Sequence, residues 1–450
     1  MKLKIKQKKE KSKPKSKLKA KRNRRKDMKR KILAAGLAFA LLTTSALTGC
    51  SGGNSDSKES GKSDGEKTVI TFWNGFTGSD GETLEALVDE YNETNDKNIE
   101  IEMSIMPWDT LYQKLSTTLA VGEGPDIVAM ATERIRTYAE PGAFVPVDDA
   151  YKDGYIEEDA VPEVLKENLK YDGKYYGVPM NIASLLLYYN KTIFEEAGLD
   201  PNSPPATWEE LEQYAQQIVD KTDKYGFDMA VKDTTPMWCI MLWGNGGDYI
   251  QDGKAVFNSE QNVETITRWA ENIRDKGFGP EVLTGGEIDK LFESQKLGMY
   301  FCGPWATTGL KNAGIDFGVA QAPAGPAGQV TQANAVGMYL TSSSEQKEAV
   351  YDFFRWWNTK DTQVKWSLGT GFPPARTDMA DDERLKENPY IAEFSKPIEN
   401  GSKMYLQQLS NFSDIDTQVI VPAFEKILLE NADVKATLDE ANKQMEEMIK

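Results

Sequence analysis

The stretch YYGVPMNIASLLLYYNKTIFEEAGLDP, residues 175–201, contains a short and almost wholly apolar run, LLLYYN at 185–190, which predicts a buried strand. Similar runs lie on both sides of it along the chain. They are VITFWN at 69–74, an alternating run at 99–105, DIVAM at 126–130 and LGMYF at 297–301. Segments with helical spacing separate these strands, and such alternation is typical of an α/β fold with mostly parallel strand pairing.

The helices are indicated by apolar residues that recur three and four positions apart. The predicted helices are one with Leu84, Leu87, Val88 and Tyr91 on its apolar face, one with Leu111, Leu115 and Leu119, one that begins with a capping box at Thr207 and Glu210, one over 344–358, and one from Val421.

Charge is unevenly distributed along the chain. The 450 residues carry a net charge of -17, but residues 1–31 contain 18 Lys or Arg, so residues 50–450 carry -33. A body this acidic is not suited to nucleic acid, because phosphate binding depends on basic surface. The length is sufficient for two domains.

Histidine is absent from the sequence. This excludes a Ser-His-Asp triad, a Cys-His pair and an H-E-x-x-H zinc site, and we expect no cofactor or metal ion. The three cysteines are too few for a disulfide framework. We interpret Cys239 and Cys302 as buried free thiols, with a single disulfide between them as the alternative.

Residues 1–49 are organised like a secretory signal, since a basic stretch precedes the uncharged apolar run at 32–49. The alternative, a membrane-spanning helix, is disfavoured by the small residues that end the run. Met28 begins a signal of ordinary length, so we predict that translation starts there; a genuinely long basic region is the alternative. Residues 50–67 are small, polar and charged, and we interpret them as a flexible tether.

The motif Leu47-Thr48-Gly49-Cys50 closes the apolar run and resembles the lipobox of bacterial lipoproteins. The resemblance implies cleavage before Cys50 and diacylation of its thiol. The mature protein would then be held at the extracellular face of the cytoplasmic membrane by its lipid alone.

Six stretches of the body, taken together, resemble the family 1 extracellular solute-binding proteins of ABC importers, which include maltose- and glycerol-3-phosphate-binding proteins. They are TFWNGFTG (71–78), GEGPDIVAM (122–130), the opening stretch, TWEEL (207–211), GMYFCGPWA (298–306) and GFPPAR (371–376). The resemblance covers nearly all of residues 68–450. A lipid anchor agrees with it, because a Gram-positive cell has no outer membrane to retain a soluble binding protein.

The resemblance implies a two-lobed, type II periplasmic-binding-protein-like fold with a ligand cleft between lobes joined by crossing segments. The N-terminal lobe would comprise residues 68–180 and 331–372, and the C-terminal lobe residues 181–330 and 373–450. It also implies a monomer that binds carbohydrate, meets the permease subunits of an ABC transporter, and is not an enzyme.

Three tryptophans are candidates for stacking on a sugar, whose C–H faces are covered well by flat aromatic rings. Trp305 follows a strand and matches the stacking tryptophan of the family's G-P-W motif. Trp238 lies in PMWCIMLWGNGG, and Trp108 follows Pro107 at the end of the second strand. For Trp305 the alternative is a place in the core.

Four polar residues are further candidates. Asn74 ends the first strand, where ligands collect in open α/β sheets. Glu133 follows DIVAM, although a solvated ion pair with the neighbouring arginines is the alternative. Asn181 and Arg376 lie in the predicted crossing segments.

Two departures from the family pattern argue against a maltodextrin ligand. Ala183 occupies the position of an acidic contact in the maltose-binding protein, and the family's C-terminal stacking tryptophan has no match near Thr417. The leading hypothesis is a lipid-anchored receptor that captures a sugar, in particular an oligosaccharide, for an ABC importer. The alternatives are a surface-anchored glycosidase with paired carboxylates, and a glycerol-3-phosphate or polyol receptor on the same fold.

Overall fold

The computed structural model describes residues 67–234, 236–281, 284–406 and 409–449. The predicted signal, the start at Met28, the lipidation of Cys50 and the tether up to residue 66 lie outside the described residues. No helix within the described ranges is both long enough and apolar enough to span a membrane.

The order of strands and helices follows the alternation expected from the sequence. The strands are β1 Thr68–Asn74, β2 Ile99–Ile105, β3 Ile127–Ala131, β4 Lys170–Tyr171, β5 Lys174–Tyr175, β6 Gly177–Ser184, β7 Leu186–Asn190, β8 Tyr225–Asp228, β9 Ile250–Gln251, β10 Lys254–Ala255, β11 Leu297–Cys302, β12 Phe317–Ala320, β13 Thr331–Leu340 and β14 Ser402–Lys403. The helices are α1 Ser79–Thr94, α2 Trp108–Leu119, α3 Ile135–Ala139, α4 Asp148–Lys152, α5 Glu163–Asn168, α6 Lys191–Ala197, α7 Trp208–Lys221, α8 Trp238–Gly244, α9 Glu260–Ala270, α10 Gly285–Glu293, α11 Trp305–Asn312, α12 Lys347–Trp357, α13 Lys360–Thr370, α14 Pro389–Asn400, α15 Phe412–Ile415, α16 Val421–Leu429 and α17 Val434–Met448.

Two larger sheets organise the molecule. The first has the order β14-β13-β3-β1-β2, with β6 also paired to β13, and the second has the order β12-β7-β11-β8. In the first, β1 is parallel to β2 and β3, whereas β13 is antiparallel to β3 and β6. In the second, β11 is parallel to β8 but β7 is antiparallel to both of its neighbours.

The prediction of mostly parallel pairing is therefore wrong, because both sheets are mixed. A helix that crosses over between two strands of one sheet returns the chain in the same direction, and this enforces parallel pairing. The strands β7 and β13 are instead entered by chain arriving from the other sheet, which leaves their direction free.

Each sheet belongs to its own apolar core. The N-terminal core takes residues from Ile70 to Ala183 and again from Ala335 to Ala375. The C-terminal core takes residues from Leu185 to Ala322 and again from Phe394 to Met445. The chain thus passes between the two lobes three times.

The lobe boundaries differ from the sequence-based ones at two places. All of β6 pairs with β13, so Ile182 and Ala183 lie in the N-terminal core and the first crossing falls at Leu185. After Ala375 the chain does not enter the C-terminal core at once, because Met379, Leu385 and Ile391 form a small cluster with Val364 of α13. The second part of the C-terminal core therefore begins near Phe394 rather than at residue 373.

Several local predictions are confirmed. Helix α1 buries its four predicted apolar residues. Of the predicted capping box, the Thr207 half is present, since its hydroxyl accepts the Glu210 N–H at 3.2 Å, whereas the Glu210 carboxylate accepts the Ala206 N–H at 2.7 Å instead of that of Thr207. Cys239 and Cys302 are buried free thiols.

Asp228, at the end of β8, is a fully buried carboxyl group. One oxygen accepts the Met229 N–H at 2.7 Å, while the other has no hydrogen-bond partner. Gly279 packs so closely that a Cβ there would stand 2.3 Å from the carboxyl carbon. Burial raises the pKa of Asp228 well above its ordinary value, because desolvation disfavours the charged form.

We therefore expect Asp228→Asn to stabilise the protein at neutral pH. As pH rises above about 4, the unfolded chain loses this proton and the folded chain keeps it, so wild-type stability falls. The advantage of the variant should grow by about 1.4 kcal/mol per pH unit until the folded-state pKa is reached. Urea unfolding of both proteins at several pH values measures this advantage. A difference in unfolding free energy that stays constant with pH would contradict the argument.

Asp378→Asn is the control of opposite sign. Hydrogen bonds from Arg376 lower the pKa of Asp378 to about 2. This variant should lose stability relative to the wild type as pH rises above 2.

Candidate functional site

Trp305 begins α11 directly after β11 and the Gly303-Pro304 turn. Its ring rests against Gly303, since a Cβ added there would stand 1.9 Å from the ring carbon Cζ3. The Gly303 carbonyl accepts the Tyr188 hydroxyl at 2.6 Å, which holds this part of the backbone. The half-buried indole packs against the apolar cores of both lobes. Trp305 therefore lies at the boundary between the lobes.

Trp108, on the N-terminal lobe, also lies directly against a glycine. A Cβ on Gly75 would stand 2.1 Å from its ring carbon Cδ2. The ring centroid lies 5.3 Å from that of Phe76, edge to face, and 5.9 Å from that of Tyr112, stacked. The glycine beneath each of these tryptophans lets the indole lie directly on the backbone.

One row of rings connects Trp108 with Trp305. From Trp108 it passes through Phe76, Trp366 and Phe372, with successive centroid distances of 5.3, 5.6, 5.6 and 6.1 Å. We call these five side chains the aromatic row. It unites two tryptophans that the sequence predicted separately.

Asn74 lies next to this row. It is fully buried, and its Oδ1 accepts the Phe76 N–H at 3.2 Å. Its Nδ2 has no hydrogen-bond partner. A buried amide donor without a partner costs about 1–3 kcal/mol, so the position favours an acceptor that the protein does not supply.

Asn181 is also a buried amide that lacks hydrogen-bond partners. It is 1% exposed on β6, and neither of its amide atoms has a hydrogen-bond partner. It lies opposite Val336, where the pairing of β6 with β13 shifts register. The preceding carbonyl, that of Met180, accepts the indole N–H of Trp357, whose ring lies 5.3 Å from Trp366 of the aromatic row.

Glu133 lies in the 3-10 turn Thr132–Arg134 that follows β3. Its pKa is raised by burial, and its own backbone N–H and Arg134 offset part of this effect. The guanidinium of Arg134 lies 3.6 Å from the ring centroid of Tyr112 and 4.9 Å from that of Phe412. Arg134 is therefore enclosed by two rings, unlike the solvated ion pair considered as the alternative.

Further carboxyl groups lie around Arg134, and we call Arg134 with these groups and its two rings the Arg134 corner. The pKa of Asp109 on α2 is raised by partial burial and by the facing carboxyl of Asp233, and is lowered by Arg134. The pKa of Asp416 is raised by burial and lowered by the Tyr405 hydroxyl, at 2.7 Å, and by Arg134. Acidic groups from both lobes thus surround one arginine.

Trp238 is almost completely buried in the C-terminal lobe. It is 2% exposed at the start of α8, and its ring centroid lies 4.7 Å from that of Phe424. Its indole N–H has no hydrogen-bond partner. The contacts of Trp238 are those of a core residue, apart from this donor.

Arg376 is not brought together with the other candidates. It donates to Asp378 at 2.9 Å, to the Asn358 carbonyl at 2.7 Å, and to Glu157. None of these partners belongs to the aromatic row or to the Arg134 corner. The guanidinium therefore ties together the segments around residues 157, 358 and 378.

Phe412 and Asp416 were missed by the sequence reasoning, which searched for a tryptophan near Thr417. A π-helical turn spans Asp416–Ile420 between α15 and α16. Such a turn inserts an extra residue into the helical register, so side chains before it point differently from a continuous helix. Phe76 and Phe372, in contrast, lie in stretches that carried the family resemblance.

The half-buried indoles of Trp108 and Trp305 offer aromatic faces, and the site adds unpartnered amides and carboxyl groups. Together these groups suit a hydroxylated solute. Within the described ranges, no cluster of three or more acidic or cysteine side chains is placed to hold a metal ion.

Comparisons with known proteins identify the family and the fold. Residues 86–393 match the model of a family described as bacterial extracellular solute-binding protein. A maltotriose-binding protein of Pyrococcus abyssi is 24% identical, covering 85% of this chain and 82% of the relative. An sn-glycerol-3-phosphate-binding periplasmic protein of Brucella melitensis is 27% identical, covering 90% and 97%. An ABC transporter solute-binding protein from Thermotoga lettingae, solved with α-D-tagatose, superposes with a TM-score of 0.78 at 23% identity, covering 85% of this chain and all of the other.

Proposed function

The chain belongs to the family of bacterial extracellular solute-binding proteins, and on that premise we propose that it captures an oligosaccharide between its lobes and delivers it to an ABC transporter permease. The observation that carries the proposal is the aromatic row, which leads from Trp108 on the N-terminal lobe to Trp305 at the junction of both cores. The named relatives and neighbour are binding proteins, which supports a receptor rather than a glycosidase.

The charges near the row favour a neutral sugar over a phosphate ester. Asp109, Glu133, Asp233 and Asp416 are gathered there, with Arg134 as the cation among them. Arg134 is already enclosed by two rings, and Arg376 is engaged elsewhere. A phosphate would meet mainly carboxyl groups, which repel it. This argues against the glycerol-3-phosphate ligand of the Brucella relative.

Closure of the lobes around the sugar is the conformational change on which this function depends. A ligand that contacts both lobes stabilises the closed form over the open one, and only that differential affinity shifts the equilibrium. Trp305, which already contacts both cores, is placed to couple sugar contact to closure.

Anchoring through a diacylated Cys50 completes the proposal. The motif at residues 47–50 follows an apolar run, as expected for a lipoprotein. Mass spectrometry of the mature N-terminal peptide from membranes tests it; an unmodified Cys50 there would rule out the anchor.

A thermal-shift screen tests the proposed ligand class. We expect maltotriose-sized neutral oligosaccharides, including non-maltose linkages, to stabilise the protein, by about 2.7 kcal/mol at one hundred times the dissociation constant. Monosaccharides should act more weakly, and sn-glycerol-3-phosphate should have no effect. Stabilisation by glycerol-3-phosphate alone would overturn the sugar assignment.

A further inference from the structure

Arg134 makes contacts on both lobes at once. The rings that enclose its guanidinium are Tyr112, which packs against the N-terminal core, and Phe412, which is part of the C-terminal core. A guanidinium within about 6 Å of a ring centroid is attracted by the negative face of the ring. One side chain therefore bridges the lobes by two cation–π contacts.

A second interlobe contact lies beside it. Thr137, on α3, donates its hydroxyl hydrogen bond to the Ser410 carbonyl at 2.7 Å. Ser410 and Phe412 belong to the same segment of the C-terminal lobe. Both contacts therefore hold this segment against the turn and the helix α3 that follow β3.

The charges around Arg134 make its position important for closure. Asp109 on the N-terminal lobe faces the carboxyl of Asp233 on the C-terminal lobe, so closing brings these like charges together. Such repulsion opposes closure. The guanidinium at this point offsets it for both lobes.

We propose that Arg134 is an interlobe latch, which raises the population of the closed form before any solute arrives. The proposal depends on the proposed function only for its consequence, a slower release of the captured sugar. A preformed closed population increases the apparent affinity, because less of the differential binding energy is needed to close the lobes.

Distance measurements on the unliganded protein test the latch. Spin labels are placed on cysteines introduced at Val121 and Leu429, exposed positions of the N- and C-terminal lobes. The full chain carries Cys50→Ser, which removes the lipid site, and the free thiols of Cys239 and Cys302 are buried, so the introduced cysteines are the accessible sites for labelling. Arg134→Ala should lower the closed-to-open ratio about fivefold, which corresponds to about 1 kcal/mol. An unchanged distance distribution would overturn the proposal.

Three further variants separate a latch from a general loss of structure. Arg134→Lys keeps the charge but not the planar group, and should give an intermediate ratio. Phe412→Leu removes the ring from the other lobe and should reproduce the shift even if Arg134→Ala folds poorly. Arg136→Ala is the matched control, because Arg136 lies over Tyr171 of its own lobe at 5.6 Å. An equal shift in the Arg136 variant, or none with Phe412→Leu, would refute the latch.

The measurement contains no solute, so its outcome is independent of the ligand screen. A latch without sugar binding would leave the interlobe inference standing and remove only the proposed ligand class.

Discussion

Trp305→Ala is expected to weaken binding of the best oligosaccharide from the screen about thirtyfold, while the protein stays folded. Removing a large aromatic face from the centre of a binding site typically costs about 2 kcal/mol or more. The indole is half-buried and held on Gly303, so its free face is already oriented before the ligand arrives. Isothermal titration of the variant and the wild type measures the loss.

Trp356→Ala is the control for this variant. Trp356 is also half-buried, but it packs against Tyr91 and Phe353 on the N-terminal lobe. Its removal should reduce stability without changing affinity. If Trp305→Ala binds as tightly as the wild type, Trp305 serves the packing between the lobes and not the ligand.

The second large effect is expected from a single added methyl group. In Gly303→Ala the new Cβ would stand 1.9 Å from the ring of Trp305, far inside van der Waals contact. The backbone cannot easily shift, because the Gly303 carbonyl accepts a hydrogen bond from the Tyr188 hydroxyl. The indole must therefore move, and affinity should fall at least about tenfold, or about 1.4 kcal/mol.

A double-variant comparison identifies the cause. If Gly303→Ala acts by displacing the indole, the methyl group should cause no further loss of affinity once Trp305 is alanine. The losses of binding free energy from the two changes should then be non-additive. Additive losses would place the effect elsewhere. Gly309→Ala, on the same helix with open space around the new Cβ, should leave binding unchanged and slightly stabilise α11.

Local elements of the fold could be predicted because their signals are local. The strand at β7 and the helix α1 are encoded by the spacing of their own apolar residues, and the structure has both. The direction of β13 could not be predicted, because it depends on which lobe the chain comes from. The first crossing was predicted at residue 181, earlier than its position at Leu185. Only the pairing with β13 assigns Ile182 and Ala183 to the N-terminal lobe.

The candidate site was predictable only where residue type and element end coincided. The tryptophans at 108 and 305 both begin helices after a strand. The contact of each indole with a glycine backbone was not predicted. Gly75 meets Trp108 only because β1 and β2 run parallel, with Asn74 beside Ile105. The ion pair of Arg376 with Glu157 and the contacts of Arg134 with Tyr112 and Phe412 join residues distant in the chain, and no spacing rule predicts such partners.

The position of β13 in the chain also determines the order in which the molecule can be assembled. This strand lies between β3, β6 and β14, yet it begins only at Thr331, after the whole first part of the C-terminal lobe. A growing chain that has exposed residues 68–184 still lacks the middle of its first sheet, and such long-range pairing slows folding. The N-terminal lobe, although its first residues are synthesised earliest, therefore cannot complete its sheet until the first part of the C-terminal lobe has been synthesised.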